Sequence, residues 1–238
     1  MKVLSTYNQL IETRNKLKNE GLSFISNSIT SYLIKRLKLP FNLIGEFNKS
    51  WDIFNTISFV NKNLSKSARV LDVGCYGSEI LLALNKCNFQ EIHGIDTNSK
   101  IKKMPSPDKI NYHVGNFFEN NFENNSFECI TSISVIEHGY NEKLFFSEFS
   151  RLLKKNGYLI LTFDYWINKI KTDNIKMFDL DWKIFSKEEV KTMILNAKKL
   201  YNLELVGDEN FEVKDKVISC ANKNYTFAWL VFQKKENN

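Results

Sequence analysis

Arg69-Val70-Leu71-Asp72-Val73-Gly74-Cys75-Tyr76-Gly77-Ser78-Glu79 decides how the 238-residue chain is read. Its first five residues form a short apolar run around one acid, the pattern of a strand buried on both faces. Gly74 then permits a tight turn and a close approach of backbone to a ligand. Ser78 and Glu79 open the next helix, predicted over Glu79–Asn85, whose free N–H groups favour a negatively charged group. In open parallel sheets, ligands bind beyond the carboxyl ends of the strands, where the strand order reverses. The loop after this strand is therefore the first place to look for a site.

Working outward, a second strand is predicted over Glu91–Ile95, and Asp96 follows it in Gly94-Ile95-Asp96-Thr97-Asn98. An acid there, about twenty residues past the glycine turn, suits the two hydroxyls of a ribose. Ile110–Val114 and Glu128–Ser134 read as the third and fourth strands. Glu142–Lys155 reads as a helix ended by Asn156-Gly157, and Tyr158–Phe163 as the fifth strand. Ser186 caps a helix over Lys187–Ala197, with Glu189 at the capping-box position. Leu203–Val206 and Tyr225–Gln233 are the sixth and seventh strands. Short apolar strands separated by helices imply a parallel sheet covered on both faces. Up to residue 66 the pattern is helical, without a convincing strand. It includes Leu10 and Leu17, the run Ile25 to Ile29, a basic segment Ser31–Leu39 stopped by Pro40, and an amphipathic stretch Asn48–Leu64.

The net charge is +6, from 33 Lys and Arg against 27 Asp and Glu. The lysines are scattered among acids and asparagines, which reads as a solvated surface and not as a patch that tracks nucleic-acid phosphates. No stretch approaches the roughly 18 apolar residues of a membrane span. Ile11-Glu12-Thr13-Arg14-Asn15-Lys16 is polar where a signal peptide would be apolar, so a cytoplasmic location is expected. Cys75, Cys87, Cys129 and Cys220 show no C-x-x-C spacing, which favours reduced structural thiols over a zinc site.

Which nucleoside the loop suits follows from charge. A dinucleotide site prefers G-x-G-x-x-G, because a pyrophosphate needs several close backbone approaches. Here only Gly74 and Gly77 are present, and Asp72 precedes the turn. A carboxylate repels a pyrophosphate but attracts the ammonium of a methionine moiety. Charge therefore favours S-adenosylmethionine over a nicotinamide dinucleotide. The same residues carry a resemblance: Leu71-Asp72-Val73-Gly74-Cys75-x-Gly77 resembles the first motif of class I S-adenosylmethionine-dependent methyltransferases. The likeness runs from about residue 48 to the C-terminus. The family pattern D-x-G-x-G-x-G has glycines where this chain has Tyr76 and Ser78, with Gly77 out of register. Tyr76 is expected to lie over the ligand instead.

The resemblance implies an α/β fold, a Rossmann-like, doubly wound seven-stranded sheet with the last strand antiparallel. That domain is expected over residues 67–238, behind an N-terminal helical cap over residues 1–66. It further implies that Asp72, Gly74, Cys75, Tyr76 and Ser78 contact the cofactor and that Asp96 holds its ribose. Gly115-Asn116-Phe117 resembles the family's G-D step after the third strand. Asn116 replaces the acid there, and its carbonyl oxygen can still accept from the adenine amino group while the Phe117 amide meets the ring. Asn124-Asn125-Ser126-Phe127-Glu128-Cys129-Ile130 matches the family's lead into the fourth strand. Ser132 and Ile133, with Ser134, then fall where backbone groups face the methionine end.

Ser134-Val135-Ile136-Glu137-His138-Gly139 resembles a signature of small-molecule methyltransferases. Methyl transfer is an in-line displacement, so an enzyme chiefly positions donor and acceptor. An alcohol acceptor must also lose its proton, and a histidine suits that task. His138 is the candidate base, with Asp164 as alternative base or orienter; the bland reading makes Glu137 and His138 caps of the following helix. A related family holds magnesium with E-x-x-E-H; here Ser134 stands at the first acid, so no metal is expected. Glu137, Tyr165, Trp166 and Trp182 are candidates for an acceptor-binding wall, with ordinary packing as the alternative for the aromatics. Aromatic faces with polar groups suit a sugar. The run from Ser134 through Asp164-Tyr165-Trp166 to Trp182 and Phe185 resembles bacterial methyltransferases associated with surface-glycan assembly.

The expected activity is thus methyl transfer from S-adenosylmethionine to a small polar acceptor, an oxygen of a sugar or glycan precursor. Two other readings stand beside it. One is methylation of nucleic acid, which would need a continuous basic groove. The other is a nucleoside-binding module without turnover, for which the degenerate glycine loop is the best argument. Oligomeric state is open, a homodimer included.

Overall fold

The structure, a computed structural model, describes residues 1–25 and 43–236. The basic segment ending at Pro40, and all of the Ile25 to Ile29 run beyond Ile25, lie outside the described residues. In chain order the main elements are β1 (Lys2–Val3), α1 (Tyr7–Asn19), α2 (Ser50–Asn63), β2 (Arg69–Val73), α3 (Ile80–Lys86), β3 (Glu91–Asp96), β4 (Asn111–Val114) and β5 (Phe127–Ile133). They continue as α4 (Glu142–Leu152), β6 (Leu153–Tyr165), β7 (Lys176–Met177), β8 (Leu180–Asp181), α5 (Lys187–Tyr201), β9 (Leu203–Leu205), β10 (Ile218–Cys220) and β11 (Lys223–Lys234). Two compact units divide the chain: Leu10–Asn120, and Met1–Gln9 together with Asn121–Asn238.

In the unit Leu10–Asn120, β2 pairs parallel with β3 from Arg69 opposite Glu91 to Val73 opposite Ile95. β3 pairs parallel with β4 from His93 opposite Asn111 to Asp96 opposite Val114. Val70, Leu71, Asp72 and Val73 are all buried, so both faces of β2 are covered and its apolar run need not alternate. α3 buries Ile80 through Leu84, while α1 and α2 bury Leu10, Leu17, Trp51, Ile53, Ile57 and Val60. Each large apolar side chain so buried contributes about 1.5–3 kcal/mol.

A polar cluster that the sequence reading did not anticipate lies on these strands. Arg69 Nε donates to His93 Nε2 at 3.2 Å. Because a guanidinium only donates, His93 carries its proton on Nδ1, which faces His113 Nε2 at 3.2 Å. The two imidazoles stack with centroids 5.5 Å apart, and Glu91 Oε2 lies 3.7 Å from His93 Nε2. Burial, and then the charges of Arg69 and His113, push the His93 pKa down to about 4 against the pull of Glu91. A base whose folded pKa lies below its unfolded value of about 6.5 destabilises the fold as it is forced to protonate. Stability is therefore full above about pH 6.5 and falls as pH drops towards 4. His93→Gln should flatten the fall in melting temperature between about pH 7 and about pH 5. Equal falls in both proteins would clear His93 as the cause.

In the other unit, β5 pairs parallel with β6, and β6 pairs antiparallel with β11 from Tyr165 opposite Thr226 to Tyr158 opposite Gln233. The last strand is antiparallel, as expected. β11 also takes β1, β9 and β10 as antiparallel partners. β1 corrects the strand-free reading of the N-terminal residues: Lys2 lies opposite Trp229 and Val3 opposite Ala228. Two residues are too few to show alternation, so sequence carried no sign of it. The helix expected to reach Lys155 also needs correcting. α4 stops at Leu152, and β6 begins at Leu153. Phe127 faces Leu153 while Cys129 faces Tyr158, so Asn156-Gly157 marks a bulge inside the strand pair. Asn156 has φ +62°, which such a bulge needs as much as a helix end does. α5 carries the expected capping box: Glu189 N donates to Ser186 Oγ at 3.4 Å, and Ser186 N donates to Glu189 Oε2 at 2.8 Å.

The cysteines divide evenly. Leu10–Asn120 holds the buried Cys75 and the half-buried Cys87; the other unit holds the buried Cys129 and the exposed Cys220.

Candidate active site

The loop after β2 is built on two left-handed glycines, Gly74 at φ +72° and Gly77 at φ +76°. A side chain at either position would be strained, so Gly77 is required although it is out of register with the family pattern. Gly74 N donates to Ile95 O at 2.9 Å and Ser78 N to Cys75 O at 3.0 Å, which closes the turn against β3. Asp96, at the end of β3, accepts Tyr76 N on Oδ2 at 2.9 Å and Asn98 N on Oδ1 at 2.8 Å. Each carboxylate oxygen has a second acceptor site left for a ligand hydroxyl. Ser78 Oγ accepts Ile80 N at 3.2 Å, which starts α3.

Negative charge collects here. Asp72 is buried on β2. Burial raises the Cys75 thiol well above its ordinary value, and the charges of Asp72 and Asp96 raise it further. The Tyr112 hydroxyl is raised by burial and by the same neighbourhood, Cys75 and Asp72. A cation is favoured at such a loop and a pyrophosphate is not, in keeping with the charge argument from sequence.

After β4, Gly115 N donates to Asp96 O at 2.9 Å, and a Cβ on Gly115 would meet nothing within 4 Å among the described residues. Asn116 is exposed and its Oδ1 accepts Phe118 N at 3.0 Å, capping the short turn Phe117–Glu119. The oxygen expected to meet an adenine amino group therefore already holds one bond and has one lone pair to offer. Phe117 is buried.

The remaining candidates lie in the other unit. Ser132 and Ile133 end β5; the Ser132 hydroxyl is buried with no hydrogen-bond partner among the described residues. Ser134 has φ +54°, and its N–H donates to Thr162 O at 3.0 Å. Glu137 and His138 follow in a turn closed by His138 N to Val135 O. This turn pairs with the chain around Trp182: Gly139 N donates to Asp181 O at 2.8 Å, Lys183 N donates to Glu137 O at 2.9 Å, and His138 bridges Trp182. Glu137 is 1% exposed, and the His138 ring is half-buried with its partner Phe178 edge-on at 5.1 Å.

Asp164 is 4% exposed and accepts the Trp182 indole N–H on Oδ2 at 2.7 Å. Burial first, and the nearby Asp164 charge second, push the Tyr225 hydroxyl far above its ordinary pKa. Tyr165 is wholly buried, and its hydroxyl donates to Phe211 O at 3.1 Å. Trp182 is 3% exposed. Both side chains are buried, Tyr165 at the carboxyl end of β6 and the Trp182 indole turned to Asp164, so neither presents an open aromatic face in this structure. Trp166 is half-buried with the Lys216 ammonium 4.8 Å from its ring.

Two residues escaped the sequence reading. Tyr225 begins a strand that reads as ordinary sheet. Phe178, 84% exposed, tops the β7–β8 hairpin with Asp179, both at positive φ. Hairpin turns of that kind normally advertise themselves with Asn or Gly, and Phe-Asp carries no such signal. Among the described residues, no cluster of three or more His, Cys, Asp or Glu is placed to hold a metal ion, and no helix is long and apolar enough to cross a membrane.

A family described as a methyltransferase domain matches residues 71–161. Over 109 residues the chain is 31% identical to a sterol 24-C-methyltransferase of Clavispora lusitaniae, covering 40% of this chain. The chain spans 28% of the length of that relative. Among solved structures, the cyclase SpnF superposes with a TM-score of 0.61 at 14% identity, over 88% of this chain and 94% of that one. Phosphoethanolamine N-methyltransferase 2 of Haemonchus contortus, in complex with S-adenosylmethionine, superposes with a TM-score of 0.55 at 17% identity, over 89% and 61%. The fold is the mixed α/β, Rossmann-like fold of class I S-adenosylmethionine-dependent methyltransferases. A cyclase shares it, so the reaction has to be argued from the site.

Proposed function

We propose that the chain binds S-adenosylmethionine and transfers its methyl group to a small polar acceptor, an oxygen of a sugar or surface-glycan precursor. The observation that carries the donor half is Asp96. Its carboxylate ends β3, orders the glycine loop through Tyr76 N and keeps a lone pair on each oxygen for a ribose diol. The open space at Gly115 supports an adenine beside Asn116 and Phe117, and the charges of Asp72 and Asp96 support an ammonium near Gly74, Cys75 and Tyr76. Ser78, Ser132 and Ile133 complete the proposed cofactor contacts. When bound, the cofactor supplies a methyl group on a sulfonium, already reactive towards a nucleophile.

In this reading His138 removes the acceptor's hydroxyl proton through a ring nitrogen, Asp164 keeps Trp182 and hence the His138 turn in place, Glu137 helps hold that turn through its carbonyl bond to Lys183 N, and Trp166 faces the acceptor. The division into a helical segment, 1–66, and a catalytic segment, 67–238, belongs to the same proposal, as does a cytoplasmic location. Calorimetry with S-adenosylmethionine and S-adenosylhomocysteine tests the donor half; a wild-type chain that binds neither ends the proposal. A screen for methyl transfer to nucleotide sugars tests the acceptor half. On any acceptor so found, His138→Ala should lower kcat by about 10²- to 10⁴-fold with the homocysteine product still bound normally. Full turnover without His138 would remove it as base.

A further inference from the structure

We infer that Arg14 is a positioning residue for cofactor binding, acting through Glu79 on the glycine loop that Glu79 follows; the inference rests on the donor half of the proposal above. Arg14 is 2% exposed and Glu79 1%. Their side chains meet as a two-pronged fork, Nη1 to Oε1 at 2.9 Å and Nη2 to Oε2 at 2.8 Å. Arg14 Nε donates to Ser50 Oγ at 2.8 Å, Nη1 also to Ser23 Oγ at 2.9 Å, and Nη2 also to Glu46 O at 3.3 Å. All five guanidinium N–H groups are used. Glu79 Oε1 further accepts Phe24 N at 2.7 Å. One carboxylate therefore gathers α1, residues 23–24 and, through Arg14, residues 46–50.

That carboxylate stands at the N-cap of α3 yet makes no capping bond to its own helix. The carboxylate is turned away from α3, and its orientation is set by the fork to Arg14. The adjoining chain is shaped around it. Gly45, at φ +69°, would place a Cβ 2.5 Å from Glu79 Cδ, so a side chain there has no room. Gly45 N instead donates to Gly77 O at 2.8 Å, a direct bond to the glycine loop. Fixing the loop from Glu79 and from Gly77 leaves it little freedom of its own. A buried ion pair is a poor general stabiliser, since apolar pairs of similar volume often do as well or better. What the fork supplies is direction, and the object it directs is the loop.

The test is calorimetry with S-adenosylhomocysteine on the full chain, beside hydrogen exchange on the wild type. Arg14→Lys keeps the charge and loses the fork, and should weaken binding about tenfold. The double variant Arg14→Met, Glu79→Met strands no charge; it should melt cooperatively and bind at least about tenfold more weakly. A double variant that binds within about twofold of wild type overturns the inference. Should neither variant fold, the wild type still decides: the ligand should slow exchange at Phe24 and Gly45 together with Tyr76. Protection confined to the glycine loop overturns the inference. A wild type that does not bind defeats the donor reading itself and carries this inference down with it.

Discussion

Asp96→Ala should raise the Kd for S-adenosylhomocysteine at least about a hundredfold, some 2.7 kcal/mol, while the protein stays folded. Two losses add. Tyr76 N and Asn98 N lose their acceptor, which frees the loop on one side and the turn after β3 on the other. The proposed ribose diol loses both of its acceptors as well, and bonds to a charged group are worth about 1.5–3 kcal/mol. Asp96→Asn should be nearly as harmful, because one oxygen becomes an NH₂ that faces a backbone N–H. Calorimetry reads both effects, and a melting curve separates lost binding from lost folding. An Asp96→Ala protein that binds within about threefold of wild type would refute the assignment.

Asp164→Ala should cost about 3–5 kcal/mol of stability, lowering the melting temperature by about 10 °C for a chain of this size. The buried Trp182 indole N–H would lose its acceptor, and a cavity would open where the buried carboxylate stood beside Tyr225. Trp182 also bridges His138, so activity on any acceptor should fall beyond what the melting curve explains. Trp182→Phe keeps an aromatic ring and removes only one donor; it should cost about 1.5–3 kcal/mol, less than Asp164→Ala. Differential scanning calorimetry distinguishes the two variants. Loss of less than about 1 kcal/mol in Asp164→Ala would mean that Asp164 is not the centre of this cluster.

What was legible in the sequence was what is local. The five residues of β2 announce a strand covered on both faces, and Asp96 announces itself by ending the next one. Ser186 and Glu189, three residues apart, announce the start of α5. Other features were misread because one local signal serves two ends: Asn156-Gly157 marks a bulge where a helix end was expected, since both need a left-handed residue. Long-range partners left no trace. Arg14 and Glu79 are 65 residues apart, and no periodicity in either neighbourhood points to the other. Asp164 reads from sequence as an alternative base or orienter; only the fold brings the Trp182 indole onto it and sets it beside Tyr225. The Phe178-Asp179 turn lacked the residues by which such turns are recognised.

The division of the cysteines has a practical consequence. Cys220 is exposed and Cys87 half-buried, so a thiol reagent reaches them without unfolding, Cys220 first because burial raises the Cys87 thiol. Cys75 and Cys129 react only when the chain around them opens, and each lies in a different compact unit. The chain thus carries two built-in clocks. Timed alkylation followed by peptide mass spectrometry would read the opening rate of each unit separately in the unaltered protein, and would show whether a bound ligand slows the Cys75 clock alone.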